Sequence, residues 1–183
     1  MESRVIVVDE DIRLYELKPE HAQEIYNTID SQREYLGEWL PFVEHTREVA
    51  FTQAFIDGYT LSDRQNLTFA IYFQGQFAGL TGLKDTDLVN RKTELGYWLS
   101  EPFQHKGIMA RSCLWLIEHA FTKMGMNRIQ LKAATGNAKS CRVAERLGFT
   151  LEGVERDGEL HTRGFVNLNV FSLLATEFDA DAR

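Results

Sequence analysis

The chain has 183 residues, a formal net charge of −7 at pH 7, and a hydrophobic fraction of 44%. This length can bury a substantial core, so we expect a single domain over residues 1–183. The acidic balance, with no basic run, argues against nucleic acid as the main partner and mildly favours cationic acceptors. No apolar stretch reaches membrane-spanning length and the N-terminus does not read as a signal segment, so we expect a cytosolic protein without a membrane role.

The first half of the chain begins with two short strand patterns, continues with helical patterns and ends with a strand hairpin. Strands are predicted at 5–8 and 12–16, and helical segments follow at 19–29, 31–36 and 47–61. Two further apolar runs, 67–72 and 77–83, flank Gln74-Gly75 and predict a hairpin.

The second half alternates strands with helices. We predict a strand at 92–99, a loop leading into a helix that ends near Gly125, a strand at 128–133, a helix ending at Gly148, and strands at 149–155 and 165–174. This order suits a mixed α+β sheet with helices on both faces.

The loop before the first of these two helices has the features of an anion site. Gly107 has no Cβ and allows the backbone to approach a ligand closely. The helix that follows presents unpaired N–H groups and the positive end of its dipole, which suit phosphate oxygens. The alternative is ordinary turn chemistry, which by itself is the commoner role of a glycine before a helix.

A second polar segment opens the next helix. Asn137 follows a turn and can cap that helix, and Ser140 lies in its first turn. Each residue alone is explained by capping. Together with the Gly107 loop, they predict a ligand with a diphosphate at one end and a thioester at the other.

These segments resemble the GNAT superfamily of N-acetyltransferases, and within it the RimL-like branch of ribosomal-protein N-terminal acetyltransferases. The resemblance is carried by residues 104–110, which are similar to the pyrophosphate loop, and by 137–140 and 143–149. Residues 95–99 (Leu-Gly-Tyr-Trp-Leu) and 39–41 (Trp-Leu-Pro) resemble the same branch, so the similarity spans nearly the whole chain.

The resemblance implies a fold and a donor. The fold is a mixed, mostly antiparallel central sheet that splays between its fourth and fifth strands, with helices on both faces and the cofactor in the opening. The donor is acetyl-CoA. The residues expected to contact it are Trp98, Leu99, Gln104, His105, Lys106, Gly107, Ile108, Met109, Ala110, Asn137 and Ser140.

The resemblance also implies catalytic roles. Ser140 is the candidate hydrogen-bond donor to the leaving thiolate, and Glu159 falls in the stretch where RimL-like enzymes have their proposed base. We expect Glu159 in a polar turn between the last two strands, where it could equally be a solvated carboxylate. Glu94 is the rival base or a substrate-binding residue, with a strand-end salt bridge as its structural alternative. Trp39 is expected at the mouth of the acceptor site.

The acceptor stays open at this level. A protein N-terminal amine of the ribosomal-protein-serine type is the leading prediction. A small-molecule amine (polyamine, amino acid or aminoglycoside) and an acyl-CoA-binding module without turnover are the alternatives. The histidines show no metal-binding spacing, and we expect Cys113 and Cys141 to be reduced thiols, with no metal. The apolar last two strands predict a homodimer or higher homo-oligomer.

Overall fold

The computed structural model describes residues 5–62 and 66–179. These residues form an eight-stranded sheet with the strand order β1-β2-β3-β4-β5-β6-β8-β7. The strands are β1 Val5–Val7, β2 Ile12–Glu16, β3 Leu67–Phe73, β4 Gln76–Asp87, β5 Lys92–Leu99, β6 Arg128–Ala134, β7 Thr150–His161 and β8 Gly164–Leu174. The helices are α1 Ala22–Ser31, α2 Arg33–Gly37, α3 Phe42–His45, α4 Val49–Ser62, α5 Ile108–Thr122 and α6 Ala138–Arg146.

The sheet is antiparallel except where β5 meets β6. That parallel contact comprises three residue pairs, from Lys92 with Arg128 to Glu94 with Gln130, although both strands continue beyond them. The strands separate after Glu94, and this opening is the splay. The fold class is confirmed, but along this chain the splay lies between the fifth and sixth strands. The short β1 shifts the count by one.

Two apolar clusters cover the two faces of the sheet. Successive residues of β3 point to opposite faces, so Phe69 and Ile71 join the cluster under α5, while Ala70 joins the cluster under α1 and α2. Helix α1 contributes Ala22, Ile25 and Ile29, which recur at three- and four-residue spacing and are all buried. The sheet is thereby held between helices on both sides. In the described ranges, no helix is long and apolar enough to cross a membrane.

Most predicted elements are observed with shifted ends, but the C-terminal hairpin differs. Strand β7 continues to His161, so the segment 157–159, which we expected to be a turn, lies within a strand. Its register against β8 jumps between Glu155 and Glu159. Asp157 takes up the extra length at φ 51° and donates its N–H to Asn167 Oδ1 at 2.8 Å. A bulge and a turn favour the same polar residues, which explains the wrong prediction.

Candidate active site

The splay opens into a cavity of about 320 Å³. Its walls come from α2 and the segment after it, from the end of β5, from the loop and first turn of α5, and from one face of α6. The lining includes Trp39 and all of the expected cofactor residues except Lys106. A second hollow, of about 450 Å³, is an open surface depression along α1, lined by polar side chains that include Glu20 and Glu24. It lies away from these residues.

The loop before α5 is shaped for an anion. Gly107 caps the helix at φ 68°, and His105 also has a positive φ of 63°. The first intrahelical bond runs from the Arg111 N–H to the Gly107 carbonyl at 3.2 Å. The N–H groups of residues 108–110 therefore precede the helical ladder. A Cβ built on Gly107 would meet only Arg111 Nε, at 4.0 Å, so no side chain fills the space above this turn. The turn fits a diphosphate.

Helix α6 adds positive charge to the cavity. Lys139, Arg142 and Arg146 all line it, because a spacing of three and four residues aligns side chains along one helix face. The cavity is therefore cationic in a chain whose net charge is −7. We did not select these three residues from the sequence, although their helical spacing carried the signal.

A polar network connects three walls of the cavity. Tyr35 donates its O–H to the Leu99 carbonyl at 3.2 Å, and Gln104 Nε2 donates to the Tyr35 oxygen. Lys139 Nζ donates to Gln104 Oε1 at 2.9 Å. Burial raises the pKa of Tyr35, so its hydroxyl stays neutral and able to donate. Lys106 is directed elsewhere, since its ammonium lies 5.3 Å from the ring centres of Phe73 and Phe103.

Ser140 is held from two sides. Its N–H donates to Asn137 Oδ1 at 3.1 Å, which is the predicted N-cap bond. Its hydroxyl is 3.0 Å from the hydroxyl of Tyr97, which also lies 3.3 Å from the Ser140 carbonyl oxygen. Burial raises the pKa of Tyr97, so this hydroxyl keeps its proton. No local sequence pattern indicates this hydroxyl pair, because Tyr97 and Ser140 come from opposite sides of the splay.

The backbone of β5 also faces the opening. The Ser100 N–H donates to the Ala78 carbonyl on β4 at 2.8 Å. Hydrogen-bonding directions alternate along an antiparallel strand, so the N–H groups of Tyr97 and Leu99 point away from β4. They point towards the side from which β6 has diverged.

The two candidate carboxylates have different surroundings, and neither lines the cavity. Glu94 accepts from Lys84 Nζ at 2.9 Å and from Gln130 Nε2 at 3.0 Å, and its side chain is 13% exposed. Glu159 is 42% exposed and lies 2.7 Å from His161 Nε2. Burial opposes the charge on Lys84, but the pKa of its ammonium is raised overall, because Glu94, Asp85 and Glu159 surround it with negative charge.

Trp39 follows α2 and lies at the splay. It lines the cavity, and a Cβ on Gly136 would lie 3.3 Å from its ring. Thr162 makes a second connection by donating to Glu44 Oε2 at 2.7 Å, which ties the β7–β8 turn to α3. The segment from Trp39 to α3 therefore contacts the β6–β8 half of the sheet at two points of one end, after β6 and at the β7–β8 turn.

The cysteines are free thiols. Burial raises the pKa of Cys113 to about 12, and Cys141 is half-buried and accepts from Asn169 Nδ2 at 3.3 Å. Within residues 5–62 and 66–179, no group of three His, Cys, Asp or Glu side chains could hold a metal ion.

Comparisons with known proteins agree with this geometry. A model of the acetyltransferase (GNAT) domain matches residues 11–150. A putative ribosomal N-acetyltransferase of Bacillus subtilis (strain 168), YdaF, is 34% identical over 178 residues, covering 95% of this chain and 97% of the relative.

Two solved structures are similar in fold. One is RimL, a ribosomal L7/L12 alpha-N-protein acetyltransferase in complex with coenzyme A. Its TM-score is 0.90 at 23% identity, and the match covers 96% of this chain and 100% of that one. The other is the microcin C7 self-immunity acetyltransferase MccE with acetyl-CoA and AMP, with a TM-score of 0.86 at 26% identity over 91% of this chain and 94% of that one. The chain belongs to the GNAT acetyltransferase family and is an acetyl-CoA-dependent N-acetyltransferase.

Proposed function

We propose that this enzyme acetylates the α-amine of a protein N-terminus, of the ribosomal-protein-serine type. The observation that carries the proposal is the nearly full-length similarity to a protein named as a ribosomal N-acetyltransferase. The chemistry around Glu159 is consistent with it, because an acidic side chain near the splay attracts an ammonium group.

The cofactor half of the site has a defined role in this proposal. The N–H groups of residues 108–110 bind the diphosphate, and Lys139, Arg142 and Arg146 neutralise its charge. When bound, acetyl-CoA supplies the acetyl thioester. The β5 N–H groups that face the opening orient the acyl end and donate to the carbonyl oxygen, where negative charge develops.

Ser140 serves the leaving group. Its hydroxyl, fixed by Tyr97 and by the Asn137 cap, donates a hydrogen bond to the departing sulfur. Because Tyr97 stays protonated, its hydroxyl can donate a hydrogen bond to the Ser140 oxygen. The Ser140 hydroxyl is then free to donate its own hydrogen bond into the cleft.

The proton of the acceptor amine goes towards the carboxylates near the splay, Glu94 and Glu159. Glu94 is committed to Lys84 and Gln130, and taking a proton would break that ion pair. Glu159 is more exposed, so we propose that it belongs to the cluster of side chains that receives this proton.

The same proposal covers assembly and location. Strand β7 is the outer strand of the sheet, and its hairpin exposes Leu151, Val154, Leu160 and Phe165. We propose that a second copy covers this edge. Light scattering that gives a clean monomer mass at tens of micromolar, roughly the range where a specific interface holds, would contradict it. A ribosomal acceptor would put the enzyme in the cytosol, and the net charge of −7 favours a cationic acceptor over nucleic acid as the main partner.

A small-molecule amine is the second candidate acceptor. The similarity to MccE, whose structure holds acetyl-CoA and AMP, favours this alternative. An acyl-CoA-binding module without turnover is a third reading. It differs from both in releasing no free CoA.

The test is a panel of amines with free CoA release as the readout. The panel contains a peptide that begins with serine, the same peptide with a blocked N-terminus, spermidine and an aminoglycoside. We expect release with the free peptide and none with the blocked one, and mass spectrometry should place the acetyl group on the N-terminal amine. Preference for spermidine or the aminoglycoside would contradict the proposal, and acetyl-CoA binding without release from any amine would favour the binding module.

A further inference from the structure

The end of β7 brings a carboxylate and an imidazole together. Glu159 and His161 are two residues apart on one strand, so their side chains lie on the same face. His161 Nε2 is 2.7 Å from Glu159 Oε2. The His161 side chain is 8% exposed, whereas that of Glu159 is 42% exposed. The imidazole is therefore held in a fixed place by a carboxylate that solvent can reach.

This contact fixes the tautomer of a neutral imidazole. A neutral histidine has one N–H and one lone pair on its ring nitrogens. An ionised carboxylate only accepts, so Nε2 carries the proton and Nδ1 carries the lone pair. In the part of the chain that the structure describes, no hydrogen bond to Nδ1 of His161 is present. An oriented imidazole with a free basic nitrogen is the arrangement that enzymes use for a general base.

One member of the pair, Glu159, lies within electrostatic reach of the inner end of the splay. Glu159 acts electrostatically on Lys84 of β4, which is paired with Glu94. Glu94 is the last residue of β5 that pairs with β6. The stem of Lys84 lies over Gly96, since a Cβ there would be 3.6 Å from Lys84 Cε. Along this face the next side chain of β5 is Trp98, which lines the cavity.

We propose that His161 accepts the proton of the acceptor amine at Nδ1, and that Glu159 positions its imidazole. This inference refines the proposed function and rests on it for the identity of the amine. The nitrogen–carbon bond forms and the carbon–sulfur bond breaks. The amine attacks in its neutral form, after its ammonium has given one proton to solvent; the attacking nitrogen then loses one proton to His161, and the sulfur gains one through the Ser140 hydroxyl, which solvent replenishes.

The chemistry favours an imidazole over a carboxylate for this step. An α-ammonium has a reference pKa of about 7.7–8.0, an imidazole about 6.5 and a glutamate about 4.3. A general base is most effective when its pKa lies near the operating pH, and at neutral pH the reference value of an imidazole is closer to this than that of a carboxylate. The nearest charged groups that the structure connects to the pair are Lys84, which Glu94 also binds, and Glu44 of α3, which accepts from the adjacent Thr162; Arg163 follows in the hairpin turn.

The test compares pH–rate profiles of the wild type, His161→Gln and Glu159→Gln with the best acceptor from the amine panel. General-base loss costs about 100-fold or more. We expect His161→Gln to lose that much in kcat, and to lose the rise of rate through neutral pH, with acceptor KM and CoA affinity nearly unchanged. Glu159→Gln should lose less kcat and should keep the rise of rate through neutral pH. His119→Gln is the matched control, because His119 stacks on Trp115 on the far part of α5.

Two further measurements separate a base from a structural residue. Added imidazole should restore turnover to His161→Gly. Nitrogen NMR of histidine-labelled protein, which needs no turnover, should show His161 protonated at Nε2 when neutral. The inference is overturned if His161→Gln keeps both kcat and the rise of rate through neutral pH while Glu159→Gln loses them, if a folded but inactive His161→Gly is not rescued, or if Nδ1 carries the proton.

These outcomes differ from failure of the proposed function. If the serine peptide is not acetylated but another amine is, the acceptor assignment fails. The roles of His161 and Glu159 are then tested with that amine.

Discussion

The two sides of the splay are built in different ways. The cofactor side consists of two helix starts, and its key features are local: a left-handed glycine before α5 and an asparagine cap with a serine in the first turn of α6. The proposed acceptor side draws on residues far apart in sequence, such as Trp39, Glu94 and Glu159. The first is mostly backbone geometry, whereas the second is mostly side-chain contacts between elements.

This difference has consequences for substitution. A backbone site is insensitive to most side-chain changes but is disrupted by a change in φ or the loss of an N–H. A side-chain site depends on ion pairs and hydrogen bonds that single substitutions remove. The predictions below test whether the two sides behave in these two ways.

The largest expected effect is on the cofactor side. Gly107→Pro removes a backbone N–H and requires φ near −65°, whereas the observed value is 68°. We expect CoA affinity to fall by about 100-fold, or ~2.7 kcal/mol, in calorimetric titration. Gly107→Ala, which keeps the N–H and has room for its Cβ, should lose less. A folded Gly107→Pro variant with unchanged affinity would show that the loop does not bind the diphosphate.

The Ser140 hydroxyl should come next, with its effect on turnover. If it acts on the leaving sulfur, Ser140→Ala should lower kcat by about 10- to 100-fold and change the acetyl-CoA KM much less. Tyr97→Phe should cost part of this, because it removes the partner 3.0 Å away. The double variant should be no worse than Ser140→Ala alone. Additive losses would give Tyr97 a separate role, and an unchanged kcat would reduce Ser140 to a capping residue.

A smaller effect is expected from the cations of α6. Arg142→Gln and Arg146→Gln should each weaken CoA binding by a few-fold, roughly 0.5–1 kcal/mol, because each removes one exposed charge from a polyanion site. The effect should shrink as salt is added. Arg156→Gln on β7, outside the cavity, is the control. A loss that does not depend on salt would point to a packing role for these arginines.

The smallest effect concerns Glu152 on β7. Arg128 and Ser172 hydrogen-bond Glu152, and Arg128 first among them lowers the pKa of Glu152 from 4.5 to about 2. A lowered pKa stabilises the fold above pH 4.5, and this stabilisation is lost as pH falls towards 2. Since Glu152 is 41% exposed, we expect Glu152→Gln to cost roughly 0.5 kcal/mol at pH 7.

The Glu152 comparison also serves as a control for the rate measurements. Denaturant unfolding should show the wild type and Glu152→Gln converging near pH 2. Between pH 5 and 8 their difference should be constant. If the difference varies in this range, a change in the pH–rate profile would reflect the stability of the β7–β8 hairpin as well as the loss of the general base.

More of the proposed cofactor side than of the proposed acceptor side can be predicted from the sequence, for a physical reason. Gly107 and Asn137 are read from short segments, because turn and cap geometry depend on a few neighbouring residues. The fold class and most strands also follow from local periodicity. The partnership of Tyr97 with Ser140 joins residues across the splay, and no local pattern contains it.

The C-terminal hairpin shows the same limit. The polar run 157–159 looks like a turn, yet it is a bulge within β7, because pairing with β8 continues to His161. That continuation brings His161 back to Glu159 as part of a regular strand face. Glu159 was therefore predicted from the sequence without its hydrogen-bond partner, His161.

The three-residue ladder between β5 and β6 has a consequence for amide hydrogen exchange. Along β5 the N–H groups of Trp98 and Ser100 face β4 and should exchange slowly, whereas those of Tyr97 and Leu99 face the opening and should exchange quickly. A ligand that accepts from these two groups would slow their exchange without any change of fold. The alternation of fast and slow amide exchange along β5 would then become uniformly slow. Each ligand could be assessed by how many of these amides it protects, on a strand that the sheet itself leaves half-paired.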